Sequence, residues 1–250
     1  MNRWVKKIAV VTGASAGIGA AIAKDLAKAG MIVVGLARRV EKVEELKNDL
    51  PEDVRQNLHS AKCDVMKEEE IIKTFAWIVE KFGGVDVLIN NAGFLDHSVR
   101  LIDEENSSTI LNTIHTNILG LIFCTREAFK SMKKRCFAGH VINVNSISGH
   151  SVPQKIDPFT LNAYPASKFA MTALTEMYRQ EFSKENFGVR VTSVSPGIVR
   201  TEMAPIDSPI GGMFPFLEVQ DVCDALRYAL ATPPRVNVQE IMLKPLGADY

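Results

Sequence analysis

Seven short apolar segments recur along the chain, and longer segments with helical periodicity separate them. Short apolar runs that alternate with helices are typical of a parallel sheet that is covered on both faces. The pattern therefore predicts an α/β fold in which right-handed crossovers build a doubly wound sheet of about seven strands. The predicted strands are Ile8–Thr12, Met31–Leu36, Leu58–Cys63, Val85–Asn90, His140–Asn145, Val189–Val194 and Val238–Leu243.

The helical segments fill the spaces between these strands, so that helices are expected on both faces of the sheet. The chain has no repeat and no linker rich in Pro, Gly or Ser, and we predict a single domain over residues 1–250. The fourth helix is expected to contain a break or a bend. The predicted helices are Ile18–Ala29, Val40–Asn48, Lys67–Phe82, Ser107–Lys134, Pro165–Lys184 and Gln220–Ala231.

Two segments do not follow the regular pattern. Ser151–Asn162 contains two prolines and leads to Tyr164, and Ala204–Phe216 is rich in Pro and Gly. Loops at the carboxyl ends of the strands form the ligand crevice of a doubly wound sheet. Both segments are therefore candidate walls of a substrate pocket, although plain connecting loops would have the same composition.

The composition excludes several classes of protein. The formal net charge is zero, which argues against a general attraction to nucleic acid or to an anionic membrane, although a local basic patch stays possible. The four cysteines lie far apart along the chain. Their spacing fits neither a disulfide framework nor a metal-binding knuckle. No apolar run approaches the roughly 20 residues of a membrane span, and MNRWVKK leads directly into the first strand. We expect a cytoplasmic protein with no nucleic-acid partner and no membrane span.

A glycine-rich turn, TGASAGIG, lies between the first predicted strand and the first predicted helix. Glycines let a backbone turn tightly and approach a pyrophosphate, whose negative charge is favoured at a helix N-terminus. Glycines also serve simple turns, but the position between strand and helix favours nucleotide binding in a Rossmann-type domain. The residues expected to bind the pyrophosphate are Gly13, Ser15, Ala16, Gly17, Ile18 and Gly19.

The end of the second strand indicates which nucleotide is bound. NAD-binding sites place Asp or Glu there to bind the ribose 2′-hydroxyl, whereas this chain has Arg38 and Arg39. Two guanidinium groups can bind a 2′-phosphate with charge-assisted hydrogen bonds. A solvated basic pair at the start of a helix is the alternative, but cations are unfavourable at a helix N-terminus. The pair therefore predicts NADP(H) in preference to NAD(H).

Tyr164 and Lys168 stand four residues apart, which places both on one face of a helix whose first turn would contain Pro165. A free phenol has a pKa of about 10, and a nearby cation favours the phenolate and lowers that value. The pair alone is weak evidence, because about one chain in four of this composition would show the spacing by chance. Its neighbours therefore decide the interpretation.

Two polar residues strengthen the case for a catalytic site. Ser146 follows a predicted strand directly, and a hydroxyl at that position can donate to a developing alkoxide. Asn117 lies in a helical stretch that is apolar on both sides. A buried amide has to be hydrogen-bonded, which indicates a structural or relay role for Asn117.

These motifs together resemble those of the short-chain dehydrogenase/reductase family. TGASAGIG, Asn90-Asn91-Ala92-Gly93, Asn117, Ser146, Tyr-x-x-x-Lys and Ser195-Pro196-Gly197 occur here in the family's order. The glycine spacing is similar to that of the compact single-domain branch. The resemblance implies an alcohol dehydrogenase or carbonyl reductase that uses NADP(H).

The resemblance also implies a role for each matching residue. Tyr164 would protonate a carbonyl or deprotonate an alcohol, and Ser146 would hold the substrate oxygen. Lys168 would bind the nicotinamide ribose and lower the pKa of the tyrosine, while Asn117 would anchor a water that links Lys168 to solvent. On the cofactor, the adenine would contact Asp64 and Val65, and its ribose Asn91, Ala92 and Gly93. The nicotinamide and its phosphate would contact Pro196, Gly197, Val199 and Thr201, and Glu44 is a further candidate beside the adenosine.

One departure from the family pattern concerns the substrate. Ser146 and Tyr164 are 18 positions apart, several more than is usual in the family, and the extra length falls in Ser151–Asn162. With its Asn-Ser-Ile-Ser-Gly-His run, the chain is similar to the subgroup that holds the dehydrogenase/reductase member 11 proteins of vertebrates and the farnesol dehydrogenases of insects. This similarity implies an apolar alcohol or carbonyl substrate, such as a terpenoid alcohol or a ketosteroid.

Three further expectations complete the sequence-based hypothesis. His97, His140 and His150 have no second ligand at metal-binding spacing, so no metal is expected. A catalytically silent NADP(H)-binding sensor or scaffold is the alternative function, against which the intact Ser, Tyr and Lys set argues. The family resemblance implies a homodimer or homotetramer formed through the helices Ser107–Lys134 and Pro165–Lys184.

Overall fold

The computed structural model describes residues 1–152, 160–204 and 214–248. Seven strands form one sheet, all of them parallel, in the order β3-β2-β1-β4-β5-β6-β7. The doubly wound α/β fold predicted from the sequence is therefore confirmed. The strands are β1 Ile8–Thr12, β2 Ile32–Ala37, β3 Leu58–Lys62, β4 Val87–Asn90, β5 His140–Val144, β6 Arg190–Pro196 and β7 Glu240–Leu243.

The central strand β1 shows why these segments are apolar throughout. All five of its residues are buried, because side chains that alternate along the strand enter two different cores. Ala9 and Val11 pack into the core on one face of the sheet. Ile8 and Val10 pack into the core on the other face.

Helices supply the other half of each core. Ile22 and Leu26 of α1 pack into the same core as Val222 of α8, and Phe75 of α4 packs with Met132 of α6 on the opposite face. The helices of the described residues are α1 Gly17–Lys28, α2 Val40–Glu45, α3 Glu52–Arg55, α4 Glu68–Phe82, α5 Ser107–Ile114, α6 Gly120–Lys134, α7 Tyr164–Ser183 and α8 Val219–Ala231.

The break predicted in the fourth helix is confirmed. A π-helical turn, His115–Leu119, joins α5 to α6. Such turns are rare and often mark functional sites. Two smaller differences concern the next elements: the helix predicted over Val40–Asn48 ends at Glu45 and continues as a 3₁₀ turn, and the short helix α3 was not predicted.

The order of the strands determines where a ligand would bind. From β1 the chain crosses to β2 on one side, and β4 lies on the other side of β1. Loops that leave two neighbouring strands in opposite directions open a crevice at the carboxyl ends of those strands. Thr12 and Asn90 end β1 and β4 at this point.

The two irregular segments are described only in part. Residues 153–159 of Ser151–Asn162 and 205–213 of Ala204–Phe216 lie outside the described residues, so their assignment as pocket walls stays a prediction. No helix in the part of the chain that the structure describes is long and apolar enough to cross a membrane.

Candidate active site

A cleft with a volume of about 400 Å³ opens at the carboxyl ends of the strands. It runs from the glycine-rich turn after β1 to the N-terminus of α7, and it brings together most of the residues predicted from the sequence. The predicted residues that line it are Gly13, Ser15, Ala16, Gly17, Ile18, Arg38, Arg39, Asp64, Val65, Asn91, Ala92, Gly93, Tyr164, Lys168 and Thr201.

The glycine-rich turn leaves the N-terminus of α1 open to the cleft. Gly13 and Gly17 have φ angles of +66° and +54°, which glycine adopts without strain. The N-cap residue is Ala16, no side chain caps the helix, and its first turn contains no acidic residue. The first N–H groups of α1 are therefore available to an anion, as the pyrophosphate prediction requires.

Thr12 and Asn91 join the glycine-rich turn to the segment after β4. The Thr12 hydroxyl accepts hydrogen bonds from the N–H groups of Asn91 and Ala92, both at 3.0 Å. In return, Asn91 Nδ2 donates to the carbonyl oxygens of Thr12 at 2.9 Å and Gly13 at 3.2 Å. The two walls of the cleft are thus fixed relative to each other, and the sequence analysis did not single out Thr12.

Arg38 and Arg39 are exposed at the mouth of the cleft, directly after β2. Arg39 forms an ion pair with Glu202, with 3.4 Å between the guanidinium nitrogen and the carboxylate oxygen. Glu202 also lines the cleft. A carboxylate therefore lies beside the cations that the sequence analysis assigned to a 2′-phosphate.

Tyr164 and Lys168 line the other end of the cleft, and Ser146 lies near Tyr164 without lining it. Tyr164 is the first residue of α7, and Ser146 lies near enough to its hydroxyl to act on the pKa of the phenol. Lys168 Nζ lies 5.5 Å from the centre of the Tyr164 ring and donates to the Val144 carbonyl oxygen at 3.0 Å. The predicted four-residue spacing thus places both groups at the helix entrance.

Burial shifts the pKa values of Tyr164 and Lys168 in the directions that favour the neutral form of each group. Burial raises the pKa of Tyr164 to about 12, although the nearby Ser146 side chain acts in the opposite direction. Burial also lowers the pKa of Lys168 to about 7. The expectation that Lys168 lowers the pKa of Tyr164 is therefore not met in this structure, because desolvation disfavours both charged forms. At neutral pH Tyr164 is a neutral phenol, the form that donates a proton.

Ser146 caps the 3₁₀ turn Ile147–Gly149. Its Oγ accepts a hydrogen bond from the Ser148 N–H at 3.1 Å. Because the oxygen accepts this bond, the hydroxyl proton stays available to donate. The geometry suits a group that holds a substrate oxygen beside Tyr164.

Asn117 is fully buried in the π-helical turn and does not line the cleft. Its side chain accepts from the Phe94 N–H at 2.7 Å and donates to the Phe94 carbonyl at 3.0 Å and to Ser167 Oγ at 2.9 Å. These bonds connect the segment after β4 to α7. The side chain has the structural role that the sequence left open, and the water-anchoring role stays a prediction.

The remaining predicted residues do not line the cleft. Glu44 accepts a hydrogen bond from the Ser60 hydroxyl and forms an ion pair with Lys47. Val199 is buried, while Thr201 lies over the glycine-rich turn, so that a Cβ at Gly17 would come within 3.2 Å of its methyl group. The predicted residues outside the lining are Gly19, Glu44, Asn117, Ser146, Pro196, Gly197 and Val199.

Comparison with known proteins agrees with this geometry. The family model described as short chain dehydrogenase matches residues 7–208. The chain belongs to this family. It is therefore an oxidoreductase.

Two relatives match over almost the whole chain. A farnesol dehydrogenase of Aedes aegypti is 51% identical over 253 residues, and the match covers 100% of both chains. The dehydrogenase/reductase SDR family member 11 of Gallus gallus is 40% identical over 256 residues, with 98% of both chains covered. The subgroup predicted from the sequence is therefore confirmed.

A solved structure shows the same architecture. The alcohol dehydrogenase of the archaeon Thermococcus sibiricus, complexed with 5-hydroxy-NADP, superposes with a TM-score of 0.78 at 28% sequence identity. The match covers 98% of each chain.

The sequence analysis missed several residues that line the cleft of this short-chain dehydrogenase. Asn145 lines the cleft, and its buried Oδ1 has no hydrogen-bond partner among the described residues. Its position after β5 was the one available indication, since polar residues that follow parallel strands meet at the ligand crevice. The other lining residues that the sequence analysis missed are Leu36, Ala37, Cys63, Met66, Phe94, Asn112, Thr116, Val144, Glu202 and Met203.

His140 has ordinary surroundings. His140 is fully buried, and burial lowers its pKa to about 3. Its ring nitrogens bond to Thr192 and Arg190 at 2.8 and 3.1 Å. Within residues 1–152, 160–204 and 214–248, no group of three or more His, Cys, Asp or Glu side chains could hold a metal ion.

Proposed function

We propose that the protein is an NADP(H)-dependent dehydrogenase/reductase that interconverts an alcohol and a carbonyl on a small apolar substrate. One observation carries the proposal: Tyr164, with Ser146 near its hydroxyl and Lys168 Nζ 5.5 Å from the centre of its ring, lies at one end of the cleft whose other end is the glycine-rich turn. A proton donor and a dinucleotide site in one cleft are the two parts that hydride transfer to a carbonyl requires.

The residues present fit a phosphorylated dinucleotide. The uncapped N-terminus of α1 suits the pyrophosphate, and Arg38 and Arg39 suit a 2′-phosphate. The unpartnered Oδ1 of Asn145 is an acceptor in the cleft wall. The archaeal alcohol dehydrogenase of the same fold, complexed with 5-hydroxy-NADP, supports the choice of NADP(H).

The nicotinamide, when bound, would supply or accept the hydride. In the direction of reduction, the Tyr164 phenol donates its proton to the carbonyl oxygen, which the Ser146 hydroxyl holds in place. Lys168 has a pKa of about 7, so at neutral pH it exchanges protons readily and can help to restore the proton on the phenol. Asn117 holds α7 and the segment after β4 in the required positions.

The relatives support an apolar substrate. The relative with 51% identity is a farnesol dehydrogenase, and the longer approach from Ser146 to Tyr164 allows a remodelled pocket wall. We include terpenoid alcohols, their aldehydes and ketosteroids in this class. Oxidation and reduction follow the same path in opposite directions.

We also propose a homodimer or homotetramer formed through the face made by α5, α6 and α7. Two apolar side chains of α7, Phe169 and Met177, are 42% and 52% exposed in the single chain. Exposed apolar side chains on one helix suit a surface that a second copy covers. Light scattering that finds only monomers would contradict this assembly.

The function is tested by following NADPH absorbance with purified protein. Farnesal, simple terpenoid aldehydes and ketosteroids are offered with NADPH, and the corresponding alcohols with NADP+. Turnover of one of these classes, with NADPH preferred over NADH, is the expected result. Tight NADPH binding without turnover of any alcohol or carbonyl would favour a cofactor sensor or scaffold instead.

A further inference from the structure

The turn that carries Ser146 ends at His150. Within it, the Gly149 N–H donates to the Ser146 carbonyl and the His150 N–H donates to the Ile147 carbonyl, both at 2.9 Å. The 3₁₀ turn between them is three residues long. Because these bonds link the backbone from Ser146 to His150, a displacement of His150 is transmitted to Ser146.

The His150 ring is held by the edge strand. Its Nε2 lies 2.8 Å from Glu240 Oε1, on β7, 90 positions later in the chain. The same carboxylate oxygen accepts hydrogen bonds from Ser195 Oγ at 2.6 Å and Ser193 Oγ at 3.1 Å. Three donors therefore bind the same oxygen, Oε1, of Glu240 and hold its side chain in place.

This contact differs from an ordinary surface ion pair. Exposed pairs contribute little, because water and mobile side chains compete for both charges. The His150 and Glu240 side chains are 24% and 29% exposed. Glu240 accepts hydrogen bonds from two serines, Ser193 and Ser195, that are buried. The end of β6 therefore sets their positions.

The other side of the turn is held by α7. Thr172 Oγ1 donates to the Gly149 carbonyl at 3.0 Å and accepts from Asn145 Nδ2 at 2.9 Å. A Cβ at Gly149 would lie 2.8 Å from the Lys168 carbonyl oxygen, so the turn lies directly against the helix that carries Tyr164. The turn is therefore held between α7 and the edge strand, by Thr172 on one side and His150 on the other.

We propose that His150 and Glu240 are positioning residues that act through Ser146. Their contact sets the distance between the Ser146 hydroxyl and Tyr164, and so the alignment of the substrate oxygen. The inference rests on the proposed function. Small misplacements of a catalytic group reduce the rate strongly, whereas neither His150 nor Glu240 lines the cleft that would hold the dinucleotide.

The test is His150→Ala, with kcat, KM and the NADPH dissociation constant measured separately. We expect kcat to fall about tenfold, because the donor at Ser146 is displaced rather than removed. The dissociation constant of NADPH should change less than about twofold. His150→Gln keeps a donor directed at Glu240 and should recover most of the loss. Lys133→Ala removes another long-range ion pair, that with Glu185, and serves as the control with unchanged kcat.

The decisive comparison uses a Ser146→Ala background. There the serine hydroxyl is already absent, so adding His150→Ala should lower kcat by less than about twofold. An equal loss in both backgrounds would overturn the proposal, as would an unchanged kcat in the single variant. If His150→Ala does not fold, Glu240→Ala on the solvent-facing edge strand removes the same contact and is read in the same way.

The proposed function and this inference fail differently. Absence of turnover in the wild-type protein would contradict the proposed function before any variant is compared. With wild-type turnover established, the response of kcat to His150→Ala in the two backgrounds decides the inference alone.

Discussion

Lys168 donates its hydrogen bond to the carbonyl of Val144, the last residue of β5, while its ammonium group lies 5.5 Å from the centre of the Tyr164 ring. The lysine is thus anchored to the strand that leads into Ser146, and no carboxylate in the described part of the chain pairs with it. Among the described residues no acidic side chain contributes to its pKa, which burial lowers to about 7. A lysine in this state can exchange protons at neutral pH, whereas an ion-paired lysine would stay charged.

Tyr164→Phe should lower kcat by about 10³-fold or more, because it removes the proposed proton donor and leaves the ring in place. NADPH binding should remain within a few-fold of wild type, since the glycine-rich turn and Arg38 are untouched. Steady-state kinetics and a fluorescence titration with NADPH measure the two effects. Tyr228→Phe, at a tyrosine that is 63% exposed on α8, is the matched control. Loss of NADPH binding in Tyr164→Phe with full activity on saturation would contradict the assigned role.

The pKa of Lys168 makes stability depend on pH. The pKa of Lys168 is about 7 in the folded protein and has its ordinary value of 10.5 in the unfolded chain. Between pH 7 and 10.5 the unfolded chain therefore binds more protons than the folded chain. Stability therefore rises with pH across this window, and the cost of burying the lysine is fully present below pH 7. From pH 7 to 9, wild type should gain about 2 kcal/mol relative to Lys168→Met. Urea unfolding of both proteins at the two pH values measures the difference, and equal pH dependence would show that Lys168 titrates normally.

Replacing Arg38 with Asp and Arg39 with Ser should shift the cofactor preference toward NAD(H). Each lost charge-assisted hydrogen bond costs about 1.5–3 kcal/mol, so kcat/KM for NADPH should fall at least about tenfold. The ratio of kcat/KM for NADPH to that for NADH is the measurement. Arg235→Ser, at an exposed arginine that does not line the cleft, is the control. An unchanged ratio would place the 2′-phosphate site elsewhere.

The ion pair between Arg39 and Glu202 predicts a smaller effect of opposite sign. At 3.4 Å, with side chains that are 53% and 73% exposed, the contact is weak, and a 2′-phosphate would compete with Glu202 for the guanidinium group. Glu202→Gln should therefore tighten NADPH binding about two- to threefold and leave NADH binding unchanged. The gain should be smaller in an Arg39→Gln background. Calorimetry on the four proteins measures this coupling, and an equal gain in both backgrounds would mean that Glu202 acts on the cofactor without Arg39.

Much of the fold could be predicted because the strands are buried on both faces. Strand β1 was predicted at its observed bounds, since its apolar run stops at the polar turn after Thr12. Strand β6 continues two residues beyond the predicted Val194, because Ser195 and Pro196 pair with β7. That pairing depends on a strand more than 40 residues later and leaves no local pattern. Helix α3, Glu52–Arg55, is too short to show a period.

The candidate active site shows the same division between features that the sequence predicts and features that it does not. Motif positions could be predicted, because a glycine-rich turn and a Tyr-x-x-x-Lys helix each determine local geometry. The raised pKa of Tyr164 could not, since it depends on how deeply packing buries the phenol. His150 and Glu240 are 90 positions apart in the sequence, so their contact could be found only from the folded structure.

Gly13→Ala tests whether the close approach of the two cleft walls is essential. Gly13 has a φ of +66°, and a Cβ there would lie 2.8 Å from the backbone Cα of Ala92. Gly83→Ala is the matched control, because Gly83 has a φ of +85° with nothing within 4 Å of the added Cβ. The control should cost about 1–2 kcal/mol of unfolding free energy from backbone strain alone. Gly13→Ala should cost about 3 kcal/mol or more and weaken NADPH binding, since the segment Asn91–Gly93 has to move. Chemical denaturation and NADPH titration of the two variants measure both effects, and equal costs would mean that the contact between the walls adjusts freely.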